Sequence, residues 1–191
     1  MQSTMTLLQI TDLHILPGEG DEMLGADTFL ALQAVLDDAL ETTRPDAIVA
    51  TGDLTQDGSE ASYARLRKLL LQTGLPVFAL PGNHDIVENM ESALAGDTIQ
   101  IDPVHEIGGW WLVMLDSHIA RKSHGALDQA QISILENALA TAEGPVVACM
   151  HHGPDARCAD PGCHLHDDGA LRGILKGPIS SAFCWAAIRT W

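Results

Sequence analysis

The sequence predicts an α/β fold built on a largely parallel sheet. Two observations carry that prediction. Short, nearly continuous apolar runs recur along the chain, and each ends in Asp, Gly or His. Between them lie longer stretches whose apolar residues fall on one helical face. Apolar runs of this length suit strands buried on both faces, and strand–helix alternation implies βαβ units with right-handed crossovers.

The first run, TLLQIT, spans 6–11 and leads into Asp12. Phe29, Leu32, Leu36 and Leu40 then form a helical stripe, with Asp27 placed to cap its start and Pro45 beyond its end. DAIVATGD is β-branched and apolar and closes on Asp53. Tyr63, Leu66 and Leu70 make the second stripe, opened by Ser59 and closed at Gly74. PVFALPGNHD returns to strand and breaks at Pro81–Gly82. WWLVMLDS and PVVACMHH repeat the design around a third stripe, Ile132, Leu135 and Leu139, which follows Asp128 and stops at Gly144–Pro145. The stretch 153–169, rich in Gly, Pro, Asp and Cys, reads as a loop at a substrate entrance. ALRGIL reads as a short helix and the segment after Pro178 as a further strand.

Composition narrows the function. The chain has 191 residues, with 26 acids against 10 bases and a net charge of −16. One domain over 1–191 is expected. Such a field repels nucleic acid polymers and anionic membranes but admits a small phosphorylated substrate if bound cations offset the acids. Four cysteines, Cys149, Cys158, Cys163 and Cys184, are expected as reduced thiols. The start lacks a basic, apolar leader and no apolar run is long enough to span a membrane, so a cytoplasmic protein is expected.

In open α/β sheets ligands bind beyond the carboxyl ends of the strands. Asp12 and His14 follow the first strand, Gly52 and Asp53 the second, Asn83, His84 and Asp85 the third, and His151 and His152 the last. Strand alternation would aim Asp12 and His14 to one side. A mixed Asp, Asn and His donor set suits Zn, Mn or Fe better than Ca. Asp53 has two oxygens and can bridge two ions, and two ions ~3.5–4 Å apart clamp the attacking and leaving oxygens of a phosphoester.

DLH, GDLTQDG, GNHD and MHHGP, in this order and each after a strand, resemble the calcineurin-like metallophosphoesterase superfamily. GSEASYARLRKLLLQTGLPVFALPGNHD and GALDQAQISILENAL are closer to its bacterial cyclic-nucleotide-phosphodiesterase-like members. The resemblance implies an αββα sandwich and a binuclear phosphodiester hydrolase using two divalent ions, Fe, Mn or Zn. It implies that Asp12 and His14 bind the first ion, that Asp53 bridges, and that Asn83 and His151 bind the second. His84 would face the substrate phosphate and protonate the leaving oxygen, with Asp85 orienting it.

The superfamily pattern ends in Gly-His-x-His, which this sequence lacks. The motif is expected at about Ala187 to Trp191, and one codon choice for Ala186–Trp191 reads Gly-His-Thr-His-Leu two bases out of frame. On this reading the second sheet is incomplete, and the chain as written binds metal weakly and hydrolyses slowly. The alternative is an inactive remnant that binds nucleotide or protein. Among the remaining histidines, His152 is expected in packing or support, and His105, His118 and His124 at the surface. Cys158, Cys163, His164 and His166 lack the two separated ligand pairs of a structural zinc site.

Overall fold

The computed structural model describes residues 4–96, 98–154, 164–166 and 168–175. The segment after Pro178, three of the cysteines and most of the CADPGCHLH stretch lie outside them. The chain divides into two compact units, one over Met5–Ile101 and the other from Asp102 onward.

The first unit contains strand β1 (Leu7–Ile10), helix α1 (Thr28–Thr42), β2 (Ala47–Thr51), α2 (Glu60–Gln72), β3 (Val77–Leu80), α3 (Val87–Ala93) and β4 (Ile99–Gln100). Its sheet has the order β1-β2-β3-β4 and every pairing is parallel. β2 and β3 are buried at every residue, as continuous apolar runs predict. The expected caps form. Asp27 accepts from the N–H groups of Phe29 and Leu30, and Ser59 accepts from Ser62. Gly74 closes α2 at φ +69°, a conformation that favours glycine. Leu32 and Leu36 of α1 and Tyr63, Leu66 and Leu70 of α2 pack with Ile48, Ala50, Val77 and Ala79 into one apolar core.

The second unit contains β5 (Val104–Ile107), β6 (Trp110–Met114), α4 (Gln129–Thr141), β7 (Val146–Cys149) and α5 (Gly169–Leu175). β5 and β6 form an antiparallel hairpin, and β6 pairs parallel with β7. Asp128 caps α4 by accepting from Gln131. Ile132, Leu135 and Ala138 pack with Val113, Leu115, Val146 and Ala148 into a core of their own. The hairpin corrects one expectation. His105 lies on β5 opposite Leu112 and is buried, so it is not a surface residue. Burial holds its imidazole below the ordinary range, with the Asp102 backbone and carboxylate opposing. His118 and His124, also expected at the surface, are half-buried.

Among the described residues no helix is long and apolar enough to cross a membrane.

Candidate metal centre

Beyond their last paired residues, β1 and β2 continue side by side as loops. The Asp12 N–H donates to Gly52 O (3.1 Å), His14 to Asp53 O (3.0 Å) and Ile15 to Leu54 O (3.2 Å). Asp12, His14 and Asp53 have φ of 54°, 44° and 49°, three of the six non-glycine residues at positive φ among the described residues. Simple strand alternation therefore does not aim Asp12 and His14, because the extended backbone ends before them. Left-handed backbone at a non-glycine residue costs about 1–3 kcal/mol and persists where the surroundings enforce it, commonly at functional sites. Here the paired loops enforce it.

Asp53 is 4% exposed. Its Oδ1 accepts from the His84 N–H at 2.9 Å, and its Oδ2 lies 3.8 Å from His14 Nε2. The His14 and His84 rings meet edge to face with centroids 4.8 Å apart. Donor atoms of His14, Asp53 and His84 all lie within 4.8 Å of one another, and the carboxylates of Asp12 and Asp53 approach within the same distance. His14 Nδ1 is buried and has no hydrogen-bond partner among the described residues. The nitrogen that faces the Asp53 carboxylate is the other one, Nε2, and the mixed N and O donors gathered here suit Zn, Mn or Fe. Asn83 sits half-buried in the turn after β3, beside His84.

His84 is held through Nδ1, which lies 3.2 Å from the Gln56 carbonyl. A carbonyl only accepts, so Nδ1 carries the proton and Nε2 is left to exchange one. Asp85 does not orient this ring. Its Oδ2 accepts from Leu54 N–H (3.0 Å) and Gly82 N–H (2.9 Å), and its Oδ1 from Thr55 N–H (3.2 Å) and the Tyr63 hydroxyl (2.8 Å). Tyr63 in turn accepts from Ile86 N–H. Burial pushes the Asp85 carboxyl up, donors from Gly82, Leu54 and Tyr63 pull it back, and the Asp53 charge adds to the rise. Burial and the Asp85 charge push the Tyr63 phenol well up, so it stays a donor. Asp85 is thus a staple between the loops that carry Asp53 and His84. The sequence signals acid at this position, but not that its partners are backbone donors from two loops.

In the second unit His151 and His152 follow β7 and are fully buried, with rings 4.8 Å apart, edge to face. His152 has the supporting role expected of it. Ser117 Oγ lies 2.9 Å from its Nδ1 and accepts from its N–H at 3.2 Å. A Cβ added to Gly125 would fall 2.3 Å from His152 Nδ1 and 2.5 Å from Ser117 O. Gly125→Ala is therefore expected to destabilise the chain by about 1–3 kcal/mol, as overpacking does. Urea unfolding measures it, and a midpoint within error of wild type would contradict this packing.

The chain belongs to the calcineurin-like phosphoesterase family, whose profile matches residues 5–178. It is 36% identical over 154 residues to the 3',5'-cyclic adenosine monophosphate phosphodiesterase of Pseudomonas aeruginosa, covering 80% of this chain and 56% of that protein. It is 36% identical over 178 residues to the Escherichia coli protein of the same name, covering 90% of this chain and 62% of that one. The chain thus spans less than two thirds of the length of either relative. Among solved structures it is similar to a Thermus thermophilus protein at 14% identity and TM-score 0.59, with 91% of this chain and 77% of that one covered. This likeness is one of fold, and it supports the αββα class expected from the motifs.

Proposed function

We propose that the chain carries the metal-dependent centre of a phosphodiester hydrolase acting on a cyclic nucleotide or similar small phosphodiester. The observation that carries this reading is the convergence of His14, Asp53 and His84, whose donor atoms lie within 4.8 Å of one another. The names of the relatives support the substrate class. The net charge of −16 disfavours nucleic acid polymers.

In this reading Asp12 and His14 hold one divalent ion, Asp53 bridges, and Asn83 and His151 hold a second. His151 enters on its motif, MHHGP, rather than on a distance. When bound, the ions supply Lewis-acid charge at the phosphoryl oxygens. The Gln56 carbonyl keeps the His84 proton on Nδ1 in the neutral ring. Protonated Nε2 then delivers its proton to the leaving oxygen. The His84 N–H bond to Asp53 fixes the distance between this acid and the metal-binding carboxylate.

Mass spectrometry is expected to find about two ions per chain after reconstitution with Mn(II) or Zn(II). His84→Ala is expected to lower kcat on bis(p-nitrophenyl) phosphate and cyclic AMP by roughly 10²–10⁴-fold with metal content retained. A chain that takes up no metal and hydrolyses neither substrate, yet binds cyclic AMP, would replace this reading with a nucleotide-binding module.

A further inference from the structure

Gln56 closes the run of pairings between the loops after β1 and β2, and its backbone is fixed on both sides. Its N–H donates to Ile15 O at 3.1 Å, and its own carbonyl oxygen lies 3.2 Å from His84 Nδ1. The C=O and Cα–C bonds are about 1.23 and 1.52 Å, so the Gln56 Cα is within about 5.6 Å of that nitrogen. A glutamine side chain reaches nearly as far again, which keeps its amide close to the acid proposed above. Gln56 is half-buried, and its Oε1 is buried with no hydrogen-bond partner among the described residues. A buried acceptor without a donor is costly to the fold, and such an atom beside a reacting group marks a place for a donor on the ligand.

The chemistry of the substrate supplies that donor, and here the inference rests on the phosphodiesterase reading. A 3′,5′-cyclic nucleotide has both its 3′ and 5′ oxygens esterified. Its sugar therefore keeps one donor hydroxyl, the 2′-OH, on the carbon next to the one that bears O3′. The amino group of adenine lies at the far end of the base. We propose that Gln56 is a specificity-determining residue: its Oε1 accepts from the ribose 2′-OH and so turns O3′, rather than O5′, toward His84 Nε2. The oxygen of water then bonds to phosphorus, the P–O3′ bond breaks, and O3′ takes the His84 proton. The proton that water loses replaces the one His84 gave, and the product is the nucleoside 5′-monophosphate. A substrate without the 2′-OH leaves Oε1 unpaired again, and sites that bind a hydroxyl reject such analogues.

The test compares cyclic AMP with 2′-deoxy cyclic AMP on the metal-loaded full chain. Wild type is expected to favour cyclic AMP in kcat/KM by about tenfold, the worth of roughly one hydrogen bond. Gln56→Leu should lose that preference and hydrolyse the deoxy substrate as wild type does. It removes a buried unpartnered oxygen, so circular dichroism should show it folding as well as wild type. Gln56→Glu keeps an acceptor and should keep the preference, even where its added charge slows both substrates. Chromatography should find the 5′-monophosphate as the product. Equal rates on the two nucleotides in wild type, a preference that survives in Gln56→Leu, or a 3′-monophosphate product each overturns the proposal and leaves the phosphodiesterase reading standing. Hydrolysis of bis(p-nitrophenyl) phosphate without either nucleotide also overturns it alone, whereas hydrolysis of none of the three overturns both.

Discussion

Asp85→Asn is expected to destabilise the fold by about 2–4 kcal/mol, among the largest effects of any single-atom exchange in the first unit. Asp85 is 3% exposed, and its described partners all donate. An amide turned one way points its NH₂ at Leu54 and Gly82; turned the other way it points at Thr55 and Tyr63. In the first case two buried backbone donors lose their acceptor, at about 1–3 kcal/mol each. Relief of the buried charge offsets part of this, since burial already raises the Asp85 carboxyl. Tyr63→Phe removes one donor to the carboxylate and one acceptor for Ile86, so a smaller loss of about 1–2 kcal/mol is expected. Guanidinium unfolding of the two variants, metal-free, checks both size and order. An Asp85→Asn variant as stable as wild type would mean that the carboxylate does not bind these loops together.

Much of this architecture was legible because it depends on side-chain pattern. Apolar runs gave β1, β2, β3, β6 and β7, and Asp27, Ser59 and Asp128 all cap helices as their positions suggest. β5 was missed because VHEI is short and half polar, although Gly108–Gly109, both at positive φ, is a hairpin signal. α3 was missed because no side chain caps it and it buries only Met90. At the centre, residue types were legible and their supports were not. The groups that hold His84 and Asp85 include the Gln56 carbonyl and the Leu54, Thr55 and Gly82 amides. Backbone groups of this kind are present at nearly every position, so only the fold decides which are used. The left-handed backbone at Asp12, His14 and Asp53 was hidden for the same reason.

Asp53→Asn should separate the stability of the metal-free chain from its capacity for metal. Asparagine preserves the shape, tolerates φ 49° and keeps an acceptor for the His84 N–H at the Oδ1 position. It removes one buried negative charge from a neighbourhood that also holds the Asp12 and Asp85 carboxylates. Without metal those charges repel, so the variant is expected to be more stable than wild type by roughly 1 kcal/mol, in the direction opposite to Asp85→Asn. With metal the order reverses. Even residues that only support a ligand cost roughly 10–100-fold in metal affinity when changed, so losing a ligand itself is expected to cost about 100-fold or more. A wild-type chain at 100 times its Kd gains about 2.7 kcal/mol from bound ion, and the variant should lose most of that gain. Melting curves of both proteins, with chelator and with Mn(II), measure the crossing directly, and hydrolysis should fall with the metal. If Mn(II) stabilises wild type and variant equally, Asp53 is not a ligand, and the left-handed loops around it serve some purpose other than holding metal.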